Sequence, residues 1–308
     1  MITIKEISYG SFGRCVQVSN GTVDFVATLD VGPRIIRFGF VGGENEFFED
    51  TENNVAENNA AFKEKFDSDI GWRIYGGHRV WTAPQAEPRT YYPDNDLITY
   101  EEIPNGIRVI SPAPKWTNTH TEMEITIAPD SSIDVIHKVT NTGAWSIEFA
   151  AWALSVMAPG GLSVVPLPKT DTGVAPNVQI ALWPWAVMND SRVYYGDKYI
   201  TLRQDPSVER AYKIGVNCEH GWAAYFNHSN LFVKHFPTGG KNYPDGGVNY
   251  ETYTNAHMIE LESLGELESV VPGESITHTE KWRLFADVTP PVATDEEGIS
   301  SVMSKILG

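Results

Sequence analysis

Cysteine is almost missing from this chain: Cys15 and Cys218 are the only two in 308 residues. So few, so far apart, argue against a disulfide framework and against a zinc site. Basic residues are also scarce, with 23 Lys and Arg against 40 Asp and Glu and a formal net charge of −17. A field of that sign keeps a protein soluble and repels phosphate backbones and anionic lipid. It disfavours nucleic-acid and membrane partners and suits a neutral small molecule. No apolar run approaches membrane-span length. The N-terminal stretch MITIKEISYGSFGRC carries acidic and polar residues where a secretion signal needs an apolar segment, so the expected location is cytoplasmic. The Walker-type phosphate loop, the Gly-x-Ser-x-Gly elbow and the His-Glu-x-x-His pair are all lacking, which sets aside nucleophilic-serine and zinc-hydrolase chemistry. No metal or cofactor is expected. Asp67-Ser-Asp69 offers carboxylates to calcium but lacks the dense oxygen pattern of a dedicated loop.

What is plentiful is aromatic surface: nine Trp, thirteen Tyr and thirteen Phe. Cores absorb most such rings, while sugar clefts use their flat faces against the C–H side of a pyranose. Alternation of apolar and polar residues is equally common. In Glu122–Ala128, Met123, Ile125 and Ile127 share one face and Glu122, Glu124 and Thr126 the other, the pattern of a half-buried strand. Turn residues at 129–132 follow, and Ile133, Val135, His137 and Val139 resume the alternation, predicting an antiparallel hairpin. Strands are also predicted over Val23–Leu29 and Ile35–Phe40. The nearly all-apolar Ser146–Met157 reads as a strand buried on both faces. Many short strands with proline at the joints indicate an all-β sandwich or barrel. Helix is expected in two places, Asn54–Phe66 and the C-terminus. In the second, Thr294 and Glu297 form a capping box and Ile299, Val302, Met303 and Ile306 follow at helical spacing. With no repeat or linker, 1–308 reads as one domain.

Several stretches in order resemble the galactose mutarotase-like superfamily. They are Ala27–Ile35 followed by Glu44-Asn-Glu-Phe-Phe48, the Gly-Gly segment Tyr75–Pro84, Val139-Thr-Asn-Thr-Gly143 leading into Phe149–Ser155, Asn249–Tyr253, and Val271-Pro-Gly-Glu274 ahead of Thr279–Trp282. Within that superfamily the chain is most similar to an uncharacterised bacterial group, the domain of unknown function 4380 type. The resemblance implies a β-supersandwich of two large antiparallel sheets and a small-molecule carbohydrate as ligand. In aldose 1-epimerases of this superfamily a late glutamate removes the O1 proton and histidines act on the ring oxygen. Glu251 matches that glutamate. The histidines do not match, since the buried strand offers Ser155 and the segment after Gly-Gly reads Tyr91-Tyr92-Pro-Asp94.

The expected site is therefore Glu251 as base, with His78, beside the two glycines, as the leading acid. Arg79, Trp81 and Trp116 are candidate cleft or stacking residues. Arg34 pairs with a carboxylate inside the sandwich or touches the ligand, and His220 and His235 are further acids to consider. His137 shares a strand face with Ile133, Val135 and Val139 and reads as a core residue. Glu260 and Glu262 read as a solvated strand face. An aldose 1-epimerase-type enzyme, a non-catalytic saccharide-binding module and an oligosaccharide hydrolase or lyase-related domain all remain open.

Overall fold

The computed structural model describes residues 1–57, 60–66, 71–114 and 116–308, with the backbone alone at 61 and 62. The Asp67–Asp69 pair lies outside the described residues. Alternation delivers the expected architecture: two large antiparallel sheets, one of eleven strands and one of ten. The predicted hairpin is Thr119–Ile127 against Ile133–Asn141, with Met123 opposite His137 and Ile125 opposite Val135. It sits in the ten-stranded sheet, where Ile133–Asn141 also pairs with Ser275–Phe285. The long apolar strand is Ile147–Met157, buried from Phe149 onward, and it lies at the middle of the eleven-stranded sheet.

The main core lies between the sheets. Phe38, Phe47, Phe232 and Trp282 meet there with ring centroids 5.4–6.2 Å apart. The C-terminal helix, Glu296–Leu307, covers the outer face of the ten-stranded sheet with Ile299 and Met303 buried against Leu231 and Val233. Its cap is Asp295, whose side chain accepts from the Gly298 amide at 3.0 Å, one residue after the predicted Thr294. Asp accepts this bond as well as Thr does. The other predicted helix shrinks to Ala60–Phe66, because Ala56–Glu57 instead pairs with Trp72–Arg73 as a small ribbon. Asparagine-rich sequence gives a helix little support there, and the ribbon supplies backbone partners. Cys15 and Cys218 are both buried and free, and no helix among the described residues is long and apolar enough to cross a membrane.

Gly76 and Gly77 are needed for backbone approach. Both have positive φ, and a Cβ on Gly76 would fall 2.0 Å from the Phe48 carbonyl oxygen and one on Gly77 2.4 Å from that of Ile35. The pair docks strand on strand and then launches Gly77–Ala83, from which two polar clusters diverge.

Candidate functional site

Five neighbouring strands at the centre of the eleven-stranded sheet build the site: Gly77–Ala83, Ile147–Met157, Ile259–Leu264, Tyr250–Thr254 and Tyr212–Val216. Because successive side chains in a strand point to opposite faces, each strand divides its residues between the core and the far side of the sheet. Tyr212, Ile214, Tyr250, Ile259, Leu261 and Ala151 enter the core. Arg79, Trp81, Trp152, Leu154, Lys213, Tyr253 and Glu260 line a cleft of about 600 Å³ on the opposite face. That volume is typical of a small-molecule site, roughly 300–1,000 Å³. The small ribbon and the segments around it wall the cleft with Trp72 and Ile74, with Gln85, Glu87 and Tyr91, and with Trp183, Trp185 and Asp245.

Register brings the charges together. Glu251 stands directly opposite Glu262, and Tyr253 opposite Glu260; Lys213 lies opposite Tyr253 on the next strand. The Lys213 Nζ is 2.7 Å from Glu251 Oε2 and donates to Glu262 Oε2 at 2.9 Å. Glu262 Oε2 also accepts from Trp152 Nε1 at 2.7 Å. The ammonium lies 4.6 Å from the ring centres of both Trp152 and Trp183, so it is solvated by carboxylates and aromatic faces. Burial alone would lower its pKa, but Glu251 and Glu262 outweigh that and raise it. Glu251 is fully buried and receives no hydrogen bond among the described residues beyond this ion contact. Burial pushes its carboxyl well above the usual range, Lys213 works against the shift, and Glu262 adds to it. Glu260 is pushed up to about 8 by burial and by the neighbouring Glu262. One carboxyl of this group thus holds its proton at neutral pH while another faces a cation, the arrangement that separates an acid from a base.

Arg79 flanks the carboxyls. Its guanidinium lies 3.6 Å from the Trp81 ring centre and 5.2 Å from that of Trp72. Around it Trp81 meets Trp152 at 5.4 Å and Tyr91 at 5.8 Å, and Trp185 meets Tyr253 edge-on at 5.9 Å. Flat rings beside clustered hydrogen-bonding groups are what a pyranose needs.

Of the predicted site residues, Arg79 and Trp81 line the cleft, and Glu251 is buried behind it against Lys213. His78 goes elsewhere. One residue before Arg79, it points into the core, fully buried, with Ser155 Oγ 2.8 Å from Nδ1 and His137 Nε2 2.7 Å from Nε2. It faces the ten-stranded sheet and is separated from Glu251 by the thickness of its own sheet. Burial, His137 and Lys234 hold its pKa well below the ordinary value. Arg34 is buried and makes a two-pronged pair with Asp94 at 2.8 and 3.0 Å, with further bonds to the carbonyls of Ile74 and Arg73, so it clamps a loop. His220 is exposed on a turn. His235 lies half-buried on the outer side of the ten-stranded sheet, opposite Trp222 and Lys281. Trp116 is half-exposed, edge-on to Phe66, outside the cleft lining.

The reading of Glu260 and Glu262 as a solvated face is corrected: both are buried, and Glu262 fully so. Their strand is central rather than peripheral, which two glutamates in alternation do not reveal. Lys213, Trp152 and Trp183 were also missed. The signal available for Lys213 is a lysine inside Tyr212–Val216, a strand otherwise without charge.

Neither a protein-family model nor any curated protein matches the sequence. Solved structures do resemble the fold. A galactose mutarotase-like protein from Clostridium acetobutylicum aligns with TM-score 0.54 and 11% identity over 92% of this chain and 99% of that one. One from Lactobacillus casei gives 0.54 and 9% identity over 88% and 100%. A galactose mutarotase related enzyme from Lactobacillus acidophilus gives 0.51 and 8% identity over 90% and 99%. The two large antiparallel sheets and these likenesses together show that this chain has the galactose mutarotase-like fold.

Proposed function

We propose that this protein is a carbohydrate-active enzyme that interconverts anomers of an aldose, with Glu251 as base and Glu260 in the acid role. The observation that carries the reading is Glu260 and Lys213 in the lining of an aromatic-walled cleft, with Glu251 and Glu262 buried behind them against the Lys213 ammonium. Ring opening needs a base at the O1 hydroxyl and an acid at the ring oxygen. Glu251 takes the O1 proton, Glu260 delivers one to the ring oxygen, and the bond from C1 to that oxygen breaks to leave the open-chain aldehyde. Rotation about C1–C2 and the reverse transfers close the ring as the other anomer. Lys213, 2.7 Å from Glu251 Oε2, opposes the burial and the Glu262 charge that raise the Glu251 carboxyl, and so works toward the ionised form that a base requires. Glu260, which has no cation in ion-pair contact among the described residues, keeps its proton to about pH 8. The likeness of the fold to mutarotase-like structures supports the substrate class by analogy alone.

Exchange between anomers of D-galactose and D-glucose, followed by polarimetry or NMR, tests the reading. Wild-type protein should accelerate it, and Glu251→Gln should lose about 10²–10⁴-fold in rate with its fold intact. A Glu251→Gln protein of undiminished activity would end the assignment. A binding role without turnover is the second reading, favoured by the lack of any histidine among the residues lining the cleft. Saturable quenching of tryptophan fluorescence by a sugar whose anomer exchange is not accelerated would establish it instead.

A further inference from the structure

Arg79 is 2% exposed, yet Nε, Nη1 and Nη2 have no hydrogen-bond partner among the described residues. Buried guanidinium groups ordinarily spend their donors on carboxylates or carbonyls, because an unpaired buried charge is costly. Arg34, close enough to act on it electrostatically, does so fully through Asp94 and two backbone carbonyls. Arg79 instead lies over the rings of Trp81 and Trp72, with its residue in the cleft lining. Contact with the rings holds the guanidinium in place while its N–H donors stay unpaired. Glu260 acts on it electrostatically but shares no hydrogen bond with it, and Lys213 is already engaged by two other carboxylates.

We propose that Arg79 is the anion subsite of the cleft and that the sugar it takes is a sugar acid, held by a two-pronged bond between its carboxylate and the guanidinium. This rests on the reading of the cleft as a saccharide site and narrows the substrate class within it. A planar fork matches a carboxylate in shape and charge. A dianionic phosphoryl group would ask for a second uncommitted cation in a cleft already lined by Glu57, Glu87, Asp245 and Glu260, whose lysine, Lys213, is committed to Glu251 and Glu262.

Titration calorimetry of the wild-type protein with D-galacturonate, D-glucuronate, their methyl esters and D-galactose 6-phosphate tests the inference. The esters keep every ring hydroxyl and remove the charge at the cost of one added methyl group. At least one uronate should bind about tenfold or more tightly than its ester, the worth of one charge-assisted contact, and more tightly than the phosphate. Arg79→Gln should bring the ratio of uronate to ester close to one. Equal affinity of acid and ester in the wild-type protein, a preference for the phosphate, or an undiminished preference in Arg79→Gln overturns the inference while leaving the saccharide reading in place. If neither acids nor esters bind, both fall. The ester comparison needs no variant, so a poorly folding Arg79→Gln protein does not shield the proposal.

Discussion

Two polar clusters lie back to back on the same strands, one on each face of the eleven-stranded sheet, and they differ in how completely they are satisfied. The inner cluster joins the two sheets. Lys234 pairs with Glu280 at 2.7 Å and reaches across the gap to donate to the carbonyls of Ala153 and Leu261. Glu280 also accepts from Ser263 and from Trp282 Nε1 at 2.5 and 2.8 Å. With neutral rings, which burial favours, the histidines form a closed chain. His137 Nδ1 donates to the His278 carbonyl at 2.8 Å, so its Nε2 is the acceptor for His78 Nε2, and His78 Nδ1 accepts from Ser155. The ligand atoms of His78, His137 and Glu280 lie within 4.8 Å of one another, but their lone pairs and protons are already committed to protein partners. The cleft cluster has the opposite character: the Arg79 guanidinium, Glu251 Oε1 and Glu262 Oε1 lack hydrogen-bond partners among the described residues, and Glu251 Oε2 meets only the Lys213 ammonium. Burial without partners is tolerated where a ligand completes the set, whereas burial with every partner present holds a fold together.

That contrast can be broken from either side. The largest effect is expected in the cleft, where Glu260→Gln should lower kcat/KM for anomer exchange by about 10²–10⁴-fold, or about 3–5 kcal/mol of transition-state stabilisation. A carboxyl raised to about 8 binds its proton on folding, so its contribution to stability falls as pH rises from its unfolded value toward 8. The Gln variant should therefore melt no lower than wild type at pH 8. A variant that lost stability and kept activity would place Glu260 with the structural cluster.

Lys234→Met should do the reverse. Stranding Glu280 and two carbonyls in the core should cost about 3–5 kcal/mol in urea unfolding, without removing any group from the cleft. A loss under about 1 kcal/mol would show that the inner cluster does not staple the sheets.

A smaller effect comes from pH. Burial lowers the pKa of His78 and His137, and that of His278 to about 3. The unfolded chain then binds protons that the folded chain refuses, so stability is whole above about pH 6.5 and falls as pH drops toward 3. Each histidine contributes a slope of about 1.4 kcal/mol per pH unit. The raised Glu251 and Glu260 carboxyls act in the opposite sense over the same range, so urea unfolding at pH 7, 6 and 5 is read as the difference between wild type and His78→Gln; a difference that does not shrink as pH falls contradicts the neutral chain.

The fold was legible in the sequence because period-two alternation and the ordered motifs both report on backbone and core, as in Met123, Ile125 and Ile127. The candidate site was legible in part. Glu251, Arg79 and Trp81 emerged from resemblance and from a Gly-Gly launch, but strand phase decides which face a residue takes, and His78 and Arg79 are neighbours with opposite phase. Nothing local in Thr-Glu-Met-Glu or Ile-Glu-Leu-Glu distinguishes an open face from a covered one. Both strands are paired on both sides, yet Glu122 and Glu124 remain partly exposed while Glu260 and Glu262 are buried, because segments carrying Tyr91, Trp183 and Trp185 wall the second face. Lys213 was hidden because its partners, Glu251 and Glu262, come from strands 38 and 49 residues away.

A crystal structure of the protein with a saturating aldose or uronate tests the account most directly. The ring should stack in the tryptophan-walled cleft with O1 and the ring oxygen within hydrogen-bond reach of Glu251 and Glu260. A sugar bound elsewhere, or a cleft left empty at saturation, would contradict it.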